Sequence, residues 1–226
     1  MPYCTRCGIK LPEDEEARFC PNCGAPIFFK TPRYAGYEKK AIRPLKAASR
    51  KNRFLTFLFA LFLCVTVTSA GALSKIDNSE AQLIIENFEK VEEMLQTAGV
   101  QLIFGNNMMY CLAMFIPFVG PIGGFYVLYS TGKVLAALSS ILGTDPMLLF
   151  LSLLIYPHAW LEYVSYSLAV SESIWLSSYA LKYRFKGLRA EAVNAAKYIS
   201  ICAILLLAGA FVEMALITLV PSSIPV

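Results

Sequence analysis

Charged side chains are scarce in this chain: Asp, Glu, Lys and Arg together make up 16% of its 226 residues. An ordinary soluble domain carries about a quarter, whereas here 57% of the sequence is hydrophobic and the mean hydropathy is +0.55. The apolar residues fall in long blocks, the pattern of a membrane protein. Histidine is scarcer still, with His158 alone. One His and one Glu at i, i+4 are too few ligands for a catalytic metal centre. No serine sits in a Gly-flanked elbow as a nucleophile either. With both constellations missing, no enzymatic activity is expected.

Seven cysteines divide into two groups. Cys64, Cys111 and Cys202 lie singly in apolar runs, where Cys behaves as a small hydrophobe. Cys4, Cys7, Cys20 and Cys23 form two Cys-x-x-Cys pairs separated by twelve residues, followed by Gly8 and Gly24. Two residues between thiols let one tight turn present both sulfurs to one ion, and the glycines complete each knuckle. Residues 1–28 therefore read as a zinc ribbon holding structural Zn²⁺ on four thiolates. So small a module depends on its metal to fold. Its loop, Glu13-Asp14-Glu15-Glu16, would repel phosphate, so nucleic acid is not an expected partner. Thiolate ligands place this end in the reducing cytosol.

Residues 29–53 form a basic linker carrying Lys30, Arg33, Lys39, Lys40, Arg43, Lys46, Arg50, Lys51 and Arg53 against Glu38. Basic flanks stay cytosolic and attract anionic headgroups. No leader precedes the paired cysteines, so the first apolar run, about 54–73, is expected to act as an uncleaved anchor. A further amphipathic helix over 78–98 should lie outside the membrane, with Ile84, Phe88, Val91 and Leu95 on one face. Ser79 and Gln82 suggest its capping box and Gly99 its stop.

More spans follow at about 102–118, 122–142, 147–181 and 196–220. The fourth is too long for a ~30 Å hydrocarbon core, and Pro157 breaks it. A second basic segment, Lys182 to Lys197, is then cytosolic. The expected architecture is an all-α polytopic membrane protein of about five transmembrane helices, one broken at Pro157, with a domain over 54–220. Its N-terminus is cytosolic and its C-terminus extracytoplasmic, in the cell membrane.

Ionisable groups at membrane depth are costly, which singles out a polar stripe. His158, Glu162, Ser165, Tyr166, Ala169, Glu172 and Ser173 recur at helical spacing, so they should face the protein interior. Lys133 lies at a similar depth, and a Lys133–Glu162 ion pair would neutralise both. Asn106 and Asn107 could join the cluster or cap freed carbonyls. Glu213 lies in the last span, nearer the outer side.

The membrane part resembles the integral membrane proteins grouped with stage II sporulation protein M, particularly the archaeal type. The residues that carry the likeness are Asn106-Asn107, Ile116-Pro117-x-x-Gly120-Pro121-x-x-Gly124, Ser130-Thr131-Gly132 and Pro157-His158-x-x-x-Glu162-x-x-Ser165-Tyr166-Ser167-Leu168-Ala169. Lys133 departs from the pattern, where an apolar residue is expected, and the ribbon sets the chain apart from the namesake. The family's namesake is a membrane scaffold that helps recruit peptidoglycan-degrading enzymes. The resemblance implies a membrane scaffold or assembly protein with membrane or cytosolic protein partners besides the lipid bilayer. Self-association is left open. The competing expectation is an ion- or solute-transport component using the His158, Glu162 and Lys133 cluster.

Overall fold

Residues 3–11, 18–26 and 49–219 are described by the computed structural model, except the side chains of residues 92, 93 and 95–97. The chain divides into two units, Met1–Pro44 and Leu45–Val226. The acidic loop 13–16 and most of the basic linker lie outside the described residues, as does the C-terminal tail from 220.

Local chemistry sets where each helix of the second unit begins and ends. Helix α1 (Arg50–Ala72) starts at Ser49, whose hydroxyl accepts the Asn52 N–H at 3.2 Å. Helix α2 (Asn78–Ala98) is capped by Asp77, not by the expected Ser79–Gln82 box. Asp77 Oδ1 accepts the Glu80 N–H at 2.7 Å and the Ser79 hydroxyl at 2.8 Å. A carboxylate two residues earlier accepts both groups and outcompetes the serine. The Glu80 N–H holds the Asp77 carboxyl below its ordinary range. The cap is thus complete above the ordinary carboxylate range and fades as pH falls through the lowered value. Gly99, at φ +55°, ends α2 where the sequence suggested.

Helix α3 (Val100–Met114) follows, then α4 (Gly120–Leu142), stopped by Gly143 in the left-handed region. Asp145 caps the short α5 (Pro146–Leu153) by accepting the Met147 N–H at 2.7 Å, and Pro157 opens α6 (Pro157–Leu219). Pro157 thus separates a half-length helix from a long one.

Among the described residues, three helices, α1, α4 and α6, are long and apolar enough to cross a membrane. Straight, the 63 residues of α6 would run about 95 Å, three times a bilayer core. It does not run straight, because Arg184 is non-helical (φ 53°, ψ −143°) and the chain turns back there. Cys202 Sγ donates to the Ser165 carbonyl at 3.4 Å, and Gly209 faces His158 and Leu161. The second arm is already helical from 185, upstream of the expected start at 196. Against the first arm, α1 runs antiparallel: Arg53 meets Glu172, Cys64 meets Ser167 and Thr68 meets Tyr163. Helix α3 runs parallel to it, with Asn107 beside Glu162 and Ile116 beside Ser173.

With lipid outside, water does not drive these helices together, so backbone approach and side-chain fit must do so. At the α1–α4 crossing Gly71 and Gly132 face each other. A Cβ on Gly132 would stand 2.7 Å from the Ala72 nitrogen and would strike the Thr68 carbonyl. Gly123 of the same helix faces open space. The buried core joins Cys64, Cys111, Met114, Leu128, Val170, Cys202 and Leu206, so the three lone cysteines do pack as small apolar groups. Large apolar side chains such as Phe62, Ile122, Tyr126 and Ile204 point outward, as lipid contact requires.

Gly132→Ala should therefore lower the thermal midpoint of the detergent-purified protein, by an overpacking cost of about 1–3 kcal/mol. Gly123→Ala should leave it unchanged or raise it slightly. Equal midpoints for the two variants would contradict the close α1–α4 crossing.

Candidate functional site

The N-terminal unit is built from two near-identical turns. Gly8 N–H donates to the Cys4 carbonyl and Gly24 N–H to the Cys20 carbonyl, each at 2.9 Å. Cys4 N–H reaches the Ile9 carbonyl at 2.9 Å and Cys20 N–H the Ala25 carbonyl at 2.8 Å. Both glycines need positive φ, +73° at Gly8 and +66° at Gly24, which side-chain-bearing residues seldom adopt. The four sulfurs converge, with Cys4 Sγ 3.6 Å from Cys23 Sγ and Cys7 Sγ 3.7 Å from Cys20 Sγ. All four lie within 4.8 Å of one another. Thiolates at ~2.3 Å around a tetrahedral Zn²⁺ would stand about 3.8 Å apart, so the set fits that ion.

The thiols are not alike. The Ile9 N–H draws Cys7 down to about 6, and the Arg6 N–H lowers Cys4. At Cys23 the Ala25 N–H acts downward too, but lost hydration and the neighbouring thiols of Cys7, Cys4 and Cys20 push it up to about 12. Some thiolate forms readily, and full ionisation of the cluster needs a cation among the sulfurs.

Inside the helical unit the polar groups form three separate stations. At the first, Asn107 Nδ2 donates to Glu162 Oε1 at 2.6 Å, and Glu213 of the second arm lies close enough for the two carboxyls to repel. His158 stacks on Tyr156 with ring centres 5.6 Å apart, and its buried Nδ1 has no hydrogen-bond partner. Tyr166 is buried in the core one turn below. At the second, Lys133 Nζ pairs with Glu80 Oε1 of α2. At the third, Arg53 Nη1 holds Glu172 Oε2 at 2.9 Å, and its Nη2 holds Glu191 Oε1. Asn194 Nδ2 adds a bond to Glu191 at 3.1 Å, and the guanidinium sits 5.3 Å from the Trp175 ring centre. Glu172 and Glu191 are 2% and 3% exposed.

The family model for stage II sporulation protein M matches residues 54–218. The chain belongs to this family. A zinc-ribbon domain model matches residues 3–27, so the protein combines a stage II sporulation protein M membrane domain with an N-terminal zinc ribbon. No curated protein and no solved structure gives a significant match.

Within this family member, the expected Lys133–Glu162 pair does not form. Lys133 lies on the α4 face that meets α2, and Glu80 takes its charge there. The other two faces of the expected cluster also separate. Asn106 is exposed while Asn107 makes the contact to Glu162, and Glu172 belongs to the Arg53 station. The serines of the stripe are not waiting for ligands. Ser165 and Ser167 donate back to the Leu161 and Tyr163 carbonyls at 2.8 and 2.6 Å. Ser173 closes the α3–α4 turn by donating to the Ile116 carbonyl at 2.7 Å, and Ser177 accepts the Phe118 N–H at 2.8 Å. These serines, not the asparagines, satisfy the freed backbone groups there.

Arg53 and Glu191 are the residues that sequence reasoning passed over. Arg53 read as the last charge of a basic linker, and Glu191 lay inside the second basic segment, Lys182 to Lys197. Their signal was present: Glu172 needed a cation at its depth, and an Arg at the N-terminal end of the first span was in reach.

Removing Arg53 would strand two buried carboxylates. Arg53→Met should cost about 3–5 kcal/mol, read as lost thermal midpoint or lost monodisperse protein. The triple change Arg53→Met, Glu172→Gln, Glu191→Gln should recover much of it. If Arg53→Met alone matched the parent protein, the three-helix tie would be disproved.

Proposed function

We propose that this protein is a five-crossing membrane scaffold that works by binding protein partners, not by catalysis or transport. Its ribbon would hold one structural zinc through Cys4, Cys7, Cys20 and Cys23 and dock a cytosolic partner. The five crossings would be α1, α3, α4 and the two arms of α6, with α2 on the outer side in the cell membrane. The ribbon would then be cytosolic and the C-terminus extracytoplasmic. Parallel α1 and α4, opposed by α3 and the first arm of α6, support that count. So does the clustering of basic residues 182–197 at the end shared with Arg53.

The observation that carries the scaffold reading is how the intramembrane charges are used. Lys133 and Glu172 are each tied to a group on another element, and Glu162 is tied to Asn107. Neither the cavity between α2 and α4 nor the cavity beside Arg53 touches His158 or Glu162. A polar path through Lys133, His158 and Glu162 would need these groups to line one passage. The exposed face of α2 offers an outer binding strip instead, with Glu86 and Lys90 paired beside exposed Leu83 and Met94.

Metal analysis of the purified chain should find one zinc, lost in the Cys4→Ser, Cys20→Ser double variant. That variant should stay membrane-inserted yet lose partners recovered from native membranes by the parent protein. Proteoliposomes of the parent protein should show no proton or cation flux. A flux abolished by Glu162→Gln, with partner recovery indifferent to the ribbon, would overturn the scaffold reading.

A further inference from the structure

The exposed side of α3 carries one group that lipid cannot serve. Asn106 is exposed, and its carboxamide has no hydrogen-bond partner among the described residues, whereas neighbouring Asn107 is bonded to Glu162. Depth makes this costly. Glu162 adjoins Tyr163, which meets Thr68 of α1, so Asn106 lies about one turn inside the end of the apolar run of α1. Hydrocarbon offers no hydrogen bonds, and a carboxamide left without any is strongly disfavoured. The residues around Asn106 form a helix seam. Leu102, Asn106, Met109 and Ala113 recur at intervals of four, three and four residues, and Ile116 continues the pattern just past the helix end. This heptad spacing lets two helices pack along their length. Met109 and Ile116 are 56% and 52% exposed. Beside them, a Cβ on Gly105 would meet nothing within 4 Å, so another backbone can come close there.

The chemistry of the carboxamide selects a second copy of the chain as the occupant. A copy inserted in the same sense, and related by a two-fold axis along the membrane normal, presents its own Asn106 at the same depth. A carboxamide is both donor and acceptor, so two of them bond reciprocally. Lipid tails supply neither group, and a different protein would need a matching polar side chain of its own at this level. We propose that the protein is a homodimer joined along α3, with the two Asn106 carboxamides paired across the two-fold axis. This inference rests on α3 being a membrane crossing and makes no use of the scaffold role.

The test is the association of the full chain in liposomes, read by energy transfer between donor-labelled and acceptor-labelled copies as lipid is added. The parent protein should dimerise, and the transfer should fall on dilution along a two-body curve. Asn106→Leu should weaken the pairing between about threefold and thirtyfold, the range of a lost interhelical hydrogen bond. Gly105→Leu should weaken it too, by holding the backbones apart. Gly123→Leu, at the open position on α4, should leave it unchanged. Positions 105 and 106 are both exposed, so the fold of the single chain is not at stake. A parent protein that stays monomeric at high protein-to-lipid ratio, its seam filled by lipid alone, would overturn the assignment. So would a dimer indifferent to both α3 changes, which would be joined through another face. Those two results leave the five crossings untouched. If instead a membrane-impermeant maleimide reached the thiol of Asn106→Cys, α3 would not cross the bilayer, and the five-crossing reading would fail along with the pairing.

Discussion

One guanidinium ties together three helices that are far apart in sequence. Arg53 enters from the first residues of α1, Glu172 from the descending arm of α6 and Glu191 from the returning arm. Nothing in the apolar surfaces of those helices specifies their register so sharply, since lipid competes with protein for any greasy face. A buried ion pair adds little net stability against a hydrophobic replacement, but it heavily penalises every arrangement that leaves a member unpaired. The reversal at Arg184 therefore has one satisfactory partner geometry, and the Cys202–Ser165 and Gly209–His158 contacts fall into place above it.

The remainder of the helical unit follows from low charge combined with small residues. Glycines let α1 and α4 meet backbone to backbone, and α6 packs through Ser165, Ser167, Ala169, Val170 and Ser173. The Ser165 and Ser167 hydroxyls bond to carbonyls one turn back on their own helix and the Ser173 hydroxyl to the Ile116 carbonyl, so these polar side chains have partners within the fold. Serines and glutamates on these helices are in this way used in contacts within the fold.

Much of the architecture was legible in the sequence. The ribbon rests on spacing that suits a tetrahedral thiolate site, and the apolar blocks, Gly99, Gly143 and Pro157 marked helix limits by local chemistry. The intramembrane pairing was harder to read. Depth along a span predicts which charges could meet, but azimuth around the helix decides which do. Lys133 and Glu162 share a depth and point to different neighbours, whereas Glu80, assigned to an outer helix, lies within reach of Lys133 because α2 packs directly on α4. Arg53 was hidden because topogenic basic residues and pairing basic residues look alike until a partner helix is placed beside them. The Asp77 cap shows the same limit at small scale, where two residues close in sequence, Asp77 and Ser79, could both cap and the carboxylate wins.

The fold-back of α6 is the most direct test of this account. Spin labels at positions 160 and 207, both exposed and on opposite arms, should report a separation set by neighbouring helices about 8–10 Å apart, lengthened only by the label arms. A continuous helix would place those positions about 70 Å apart. A short, narrow distance that broadens in Arg53→Met is the predicted result. A separation near the straight-helix value, or a short one indifferent to Arg53, would contradict the claim that this arginine holds the two arms together.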